Sequence, residues 1–167
     1  ENRVWYAYEG APAIGWAGKS RWPSKVARVL DDGSAQIHRF EWTDQGKLQR
    51  YTDPLGRETV FEYGGAGVDL LKVKQRNGFV LDLLAEMSHN GIHLPLTVKD
   101  ASAQTTTLTY NTAGQPLTVT NAKNETTTLA YNTSGYLETI AGPVTGSTVT
   151  LTWDGFGRVR TVTYDGR

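Results

Sequence analysis

Apolar and polar residues alternate along most of this chain. Leu108 and Tyr110, Leu117 and Val119, Leu129 and Tyr131, and Val149, Leu151 and Trp153 fall on every second position, with threonine or polar residues between them. A period of two sets one apolar and one polar face on a strand. The threonine runs at 105–107 and 126–128 add β-propensity without a helical period. Residues 79–89, "FVLDLLAEMSH", contain enough leucine for a helical turn, but their place in the pattern predicts a strand.

The alternation is punctuated at fixed intervals. Leu108-Thr-Tyr-Asn-Thr-Ala-Gly114 returns as Leu129-Ala-Tyr-Asn-Thr-Ser-Gly135. An aromatic residue followed four positions later by glycine occurs at Trp42/Gly46, Tyr63/Gly67, Tyr110/Gly114, Tyr131/Gly135 and Trp153/Gly157. Met87/Gly91 completes the series, with methionine in the aromatic place. Successive anchors are then 21, 24, 23, 21 and 22 residues apart, a period that signals a repeat architecture.

A second reversal falls in each interval, at Gly33, Gly56, Gly78, Ala103, Asn124 and Gly146. Gly and Asn tolerate positive φ there, whereas Ala103 is less suited. Each repeat therefore reads strand, turn, strand, turn. About twelve strands at about 4.8 Å spacing give a sheet of nearly ~60 Å. One repeat cannot bury its apolar face alone. The expected fold is all-β: repeated antiparallel β-hairpins forming a curved, open sheet.

The repeats occupy residues 31–167, and the chain stops within "TYDGR", partway through another unit. A longer parent polypeptide is the expectation. Residues 1–30 have no such rhythm but carry Trp5, Tyr6, Tyr8, Trp16 and Trp22. They read as an aromatic cap over an open sheet edge, or as a severed part of a neighbouring element. A stacking platform for sugar rings, formed by Trp5, Trp16 and Trp22, is the functional alternative.

Composition narrows the classes. Of 167 residues only 38% are hydrophobic, mean hydropathy is −0.43, and glycine occurs 18 times. Seventeen acidic and seventeen basic residues cancel, so the basic excess of a general nucleic-acid binder is missing. No apolar run is long enough for a spanning helix. Cysteine is absent, which removes disulfides and thiolate metal sites.

"YNTAGQPLTVTN", "YNTSGYLETI", "WDGFGRVRTVTYDGR" and "YTDPLGRETVFEY" resemble the YD repeats of Rhs proteins, whose usual form is Tyr-Asp-x-x-Gly-Arg-Leu followed by Thr-Asp. Trp153-Asp-Gly-Phe-Gly-Arg158-Val159 is a close copy, and the Tyr63 and Met87 units are degenerate. The resemblance implies a long β-sheet that spirals into a hollow shell. In Rhs polymorphic toxins and the C components of bacterial toxin complexes, such shells enclose a toxic C-terminal polypeptide. Teneurins and wall-associated proteins carry similar repeats on cell surfaces. Six repeats would supply a sector of such a wall.

Candidate chemistry is sparse. His89 and His93 have the i, i+4 spacing of some metal ligands, but Asn90-Gly91 between them marks a turn, and the glutamate of a helical zinc motif is missing. His38 lies in an expected strand beside no nucleophile. Asp31, Asp32, Asp44 and Asp53 lack the spacing of a calcium loop and read as turn residues that bond their own backbone. "YGGAG" at 63–67 has no Walker lysine. Arg57, Arg158 and Arg160 read as solvated or cargo-facing. Asp53-Pro-Leu-Gly56 resembles the self-cleavage motif of the family's C-terminal core, yet it occupies an ordinary second turn.

No catalytic residue, metal ligand set or cofactor is therefore assigned. The sequence reads as a non-enzymatic wall segment of an exported Rhs shell, secreted or on the cell surface. Its partners would be other segments of that shell and an enclosed C-terminal cargo, with self-association through sheet edges and neither nucleic acid nor membrane insertion. The alternative reading is an adhesion or carbohydrate-binding module.

Overall fold

A computed structural model describes residues 3–11 and 18–165. The described residues form no helix. Their strands are β1 (Val4–Tyr8), β2 (Pro23–Val29), β3 (Ala35–Trp42), β4 (Leu48–Thr52), β5 (Glu58–Tyr63), β6 (Leu70–Asn77) and β7 (Val80–His89). They continue with β8 (Pro95–Asp100), β9 (Thr105–Tyr110), β10 (Pro116–Thr120), β11 (Thr126–Tyr131), β12 (Leu137–Ala141), β13 (Thr148–Trp153) and β14 (Val159–Tyr164). Sheet order equals chain order, with β1 and β14 at the two ends. The fold is thus all-β, an open antiparallel array of successive hairpins, as the alternation predicts. The leucine-rich stretch before His89 is the strand β7.

Two compact units divide the chain, residues 1–86 and 87–167. In the first, Phe40 faces Tyr51 across β3 and β4, and Tyr51 faces Thr59 of β5. Strand alternation puts Trp42, Phe61 and Tyr63 on that same face. The other face carries ion pairs: Arg50 with Glu41 and Glu58, Arg76 with Glu58, Lys74 with Glu62, and Lys72 with Glu86. The segment read as an aromatic cap contributes β1 and β2, which are hydrogen-bonded to each other and onward to β3.

In the second unit, Leu108 faces Val119, and Leu129 faces Ile140, which faces Val149. The opposite face is hydroxylic. Thr109 bonds Thr118, Thr120 bonds Thr126, and Thr152 bonds Thr161, at 2.6, 2.9 and 2.6 Å. Cross-strand Thr pairs of this kind suit a solvated sheet face. Among the described residues no hydrophobic side chain is fully buried. The apolar face of each unit therefore has no second layer from these residues packed upon it.

Most of the reversals have one design. The carbonyl of the residue that opens the turn receives the backbone N–H of the residue three later, and that later residue has positive φ. Second turns do this at Gly33, Gly56, Ala103 and Asn124. Gly78, in the two-residue link between Asn77 and Val80, and Gly146, beside the Ser147 N–H that bonds Val144, share the positive φ, which lies between 60° and 82° at all six. First turns do it at Gly46, Gly67, Gly114, Gly135 and Gly157.

The Met87 unit departs from the spacing. Gly91 is not at the left-handed position; His93 is, with φ 65°. Asn90 opens this turn, its side-chain oxygen receiving the N–H groups of Ile92 and Leu94 at 3.0 Å each. The residue just before the one that opens the first turn is the anchor place in the other repeats, and here it is His89 rather than Met87. The reversal stands two residues later than the Met87/Gly91 pair suggests, because Asn90, not Ser88, supplies the turn acceptor.

Candidate functional site: the joints between repeats

The anchor aromatics end odd-numbered strands, where the ladder shifts register by one residue. Trp42 pairs with Leu48, Tyr63 with Leu70, Tyr110 with Pro116, Tyr131 with Leu137 and Trp153 with Val159, each beside a bulge. A bulge re-aims a side chain along the sheet. Each polar ring head then reaches back to the carbonyl that opens the preceding strand. Trp42 Nε1 donates to Pro23 at 2.9 Å and the Tyr63 hydroxyl to Leu48 at 3.0 Å. The Tyr110 hydroxyl donates to Pro95 at 2.7 Å, that of Tyr131 to Pro116 at 2.9 Å, and Trp153 Nε1 to Leu137 at 2.8 Å. Because Leu48, Pro116 and Leu137 are themselves the partners of the previous anchors, the bonds tie one repeat to the next. Burial pushes the Tyr63 phenol up from its ordinary value of 10.0, which keeps the proton on the donor.

A second element completes the joint. At four joints the side chain just before a strand opening lies over the turn glycine of the next repeat. Trp22 covers Gly46 and stacks on Trp42, with centroids 6.0 Å apart. Gln115 covers Gly135 and bonds its carbonyl at 2.7 Å. Tyr136 covers Gly157 and stacks on Trp153 at 4.9 Å. Leu94 approaches Gly114, and Gln45 takes this role at Gly67. The glycine four places after each aromatic thus serves twice: it adopts positive φ, and it leaves room for a neighbour's side chain.

Asp32, Asp53, Asp154 and the turn asparagines Asn111, Asn121 and Asn132 bond nearby backbone N–H groups, whereas in the turn of Asp44 that acceptor is the Thr43 hydroxyl. Oδ1 of Asp53 receives the N–H of Leu55 and Arg57, and Arg57 Nε bonds its second oxygen. Asp53 is 9% exposed. Burial pushes its carboxyl up, but the hydrogen bonds and charge of Arg57, with the Leu55 N–H, outweigh that and hold it below 3.8. Asp154 has the same partners in Phe156 and Arg158, and the Arg158 N–H leads in lowering it. Asp32 receives the hydroxyl and N–H of Ser34, which lower it likewise. Asp53-Pro-Leu-Gly56 and the glycines of "YGGAG" are turn residues. Among the described residues no group of three or more His, Asp or Glu is arranged to hold a metal ion.

The three tryptophans read as a stacking platform do not come together as a set. Trp16 lies outside the described residues. Trp5 is in β1 opposite Ala27, whereas Trp22 sits on Trp42. Trp22 heads a strip of rings instead: Trp42 to Phe40 at 6.1 Å, Phe40 to Tyr51 at 5.4 Å, and Tyr51 to His38 at 5.8 Å. His38 Nδ1 also hydrogen-bonds the Tyr51 hydroxyl at 2.6 Å. Beside Trp22 and Trp42 opens a cleft of about 710 Å³ with Glu9, Lys19, Asp44 and Gln49 in its lining.

Besides His89, sequence reasoning missed Tyr8 as an anchor. It ends β1, pairs with Pro23 beside a bulge, and so stands where Trp42 stands to Leu48. The signal was the Tyr-Ala-Tyr-Glu-Gly run, hidden because it stands outside the 21- to 24-residue rhythm that begins at Trp42.

No family model matches this chain, and no curated protein is similar to it. Solved structures of bacterial toxin complexes do share its fold. The crystal structure of TcdB2-TccC3 superposes with a TM-score of 0.72 at 12% identity, covering 85% of this chain and 9% of that one. The same complex without its hypervariable C-terminal region gives 0.71 at 12%, covering 84% and 8%. The Photorhabdus luminescens Tc holotoxin pore with a mutated TccC3 gives 0.70 at 12%, again covering 84% and 8%. The chain spans less than a tenth of those chains, and the likeness is one of fold: the open hairpin array that the Rhs resemblance implies.

Proposed function

We propose that this chain is a wall segment of a Rhs/YD-repeat shell that encloses and delivers a C-terminal toxin or other polypeptide cargo. The observation that carries this reading is the sheet itself: hairpins tied repeat to repeat, with apolar faces and no fully buried hydrophobic side chain among the described residues. A sheet normally buries one face, and the inside of a shell, filled by cargo, supplies the missing cover. The fold likeness to toxin-complex chains supports the same reading. In this role the chain is non-enzymatic and exported as part of a longer polypeptide. Its partners are further segments of that shell and the cargo. Residues 1–30 belong to the wall through the β1–β2 hairpin.

Peptide mapping by mass spectrometry of the native polypeptide, with limited proteolysis, tests this. The expected result is a parent several times longer, with further YD repeats and a C-terminal region protected until the wall is unfolded. A native product ending at Arg167 with no companion chain overturns it.

A second reading, carbohydrate binding, is favoured by the cleft where the partly exposed Trp22 ring meets Glu9, Lys19, Asp44 and Gln49. Aromatic faces with polar neighbours suit sugar rings. A glycan array followed by tryptophan fluorescence titration checks it, and loss of any hit on Trp22→Ala is required.

A further inference from the structure

The turn after Trp42 is built without its aspartate. Asp32, Asp53 and Asp154 each use a carboxylate oxygen to hold backbone N–H groups of their own turns. Here Thr43 opens the turn: its carbonyl receives the Gly46 N–H and its hydroxyl that of Lys47. The Asp44 carboxylate, one place later, is left over. Asp44 lines the cleft beside Trp22 and Trp42, as does Glu9 from the link between β1 and β2. Among the described residues neither Asp44 nor Glu9 is in an ion pair, whereas Glu41, also in the lining, is engaged by Arg50. Lys19 offsets one of the two free carboxylates and leaves the cleft net negative.

The rings add a second attraction of the same sign. Trp22 lies over Gly46, stacks on Trp42 and is 37% exposed. The face of an aromatic ring is its negative pole, so rings and carboxylates select the same charge. An ammonium capped with methyl groups meets both demands of this place, apolar contact with indole and a positive charge. A volume of about 710 Å³ admits a small ligand. We infer that the cleft binds a choline-type quaternary ammonium group, its methyls against the Trp22 indole and its charge opposite Asp44 and Glu9. A neutral sugar would leave both carboxylates without a counter-charge, so this ligand differs from that of the carbohydrate reading. The wall reading does not depend on it.

The test is a ligand-observed NMR titration of the full chain, which needs no tryptophan as reporter. Choline should show saturable broadening of its N-methyl line. Its uncharged isostere, with carbon in place of nitrogen, should bind at least about tenfold more weakly, since the attractions of ring and carboxylates are lost together. Trp22→Ala should abolish choline binding. Asp44→Asn, which leaves the Thr43 turn bonds in place, should weaken it about two- to fivefold. Cosedimentation with phosphatidylcholine vesicles, against phosphatidylglycerol ones, then separates the sources. Selective pelleting that choline competes away assigns a lipid headgroup, and choline binding without pelleting assigns a soluble ligand; either upholds the site. Equal binding of choline and its isostere, or no choline binding, overturns the proposal. So does choline binding that neither variant changes, or that a neutral oligosaccharide displaces with equal affinity, which would give the cleft to sugars. None of these outcomes bears on the wall reading, which peptide mapping decides.

Discussion

The Tyr131 hydroxyl donates to the carbonyl oxygen of Pro116 at 2.9 Å, and Pro116 in turn pairs with Tyr110, the anchor of the repeat before. The tyrosine is therefore a tie between successive repeats and more than a hydrophobic pole. Tyr131→Phe keeps the ring and removes the donor, so it should cost about 0.5–1.5 kcal/mol. Tyr131→Ala should cost more, because cross-strand packing of about 0.2–1 kcal/mol per pair is lost as well. Urea denaturation of the three proteins checks this. Coincident curves for tyrosine and phenylalanine would remove the hydrogen bond from the account.

The two demands on a turn glycine can be measured apart. Gly56 and Gly46 have φ of 82° and 76°, but a Cβ at Gly56 meets nothing within 4 Å, while one at Gly46 would fall inside the Trp22 ring. Gly56→Ala should cost only the left-handed penalty, about 1–2 kcal/mol. Gly46→Ala should cost that and the displacement of Trp22 from Trp42. In a double-mutant cycle with Trp22→Ala the excess should disappear. Equal losses at the two glycines would mean that the covering side chain contributes nothing.

Much of this was legible in the sequence, for a physical reason. A period-two pattern and residues suited to positive φ are local properties, and local properties sufficed for the twelve strands from β3 onward and for all six second turns. Two things were not local. The covering of Gly46 by Trp22 and of Gly157 by Tyr136 joins residues of neighbouring repeats, and spacing alone gives no partner. At the degenerate unit the glycine misled: Gly91 is two residues short of the left-handed position, which His93 occupies. The acceptor that opens the turn, Asn90, was the better guide, since Asx residues open the neighbouring turns at Asn111 and Asn132. His89, which takes the anchor place there, has its Nδ1 buried without a hydrogen-bond partner, so this unit lacks a feature shared by five others.

Residues with side chains at left-handed positions mark where stability can be added. Ala103 has φ 63° and Asn124 has φ 62° in equivalent turns. Alanine has no polar group to offset the strain, whereas asparagine tolerates this region. Ala103→Gly should therefore stabilise the protein by about 1 kcal/mol, less the entropy glycine adds to the unfolded chain. Asn124→Gly should gain less. Thermal denaturation of both variants decides, and a loss at Ala103→Gly would contradict the strain.

Acid should weaken the fold partly through Asp53. Its carboxyl lies below 3.8 in the folded chain because the bonds and charge of Arg57, with the Leu55 N–H, outweigh the upward push of burial. A group with a depressed folded value contributes stability above its unfolded value and loses it as pH falls through the folded one. The melting temperature should thus drop between about pH 5 and pH 2.5. Asp53→Asn keeps an oxygen for the N–H groups of Leu55 and Arg57, as Asn111 does for Ala113 and Gln115. It gives up the titrating charge opposite the Arg57 guanidinium and the second oxygen that accepts from Arg57 Nε. The variant should be less stable than the wild type at neutral pH and lose less on acidification, so the two curves converge toward low pH. Parallel curves would place the acid sensitivity in other carboxylates, with Asp154, which Arg158 also holds low, as the next to replace.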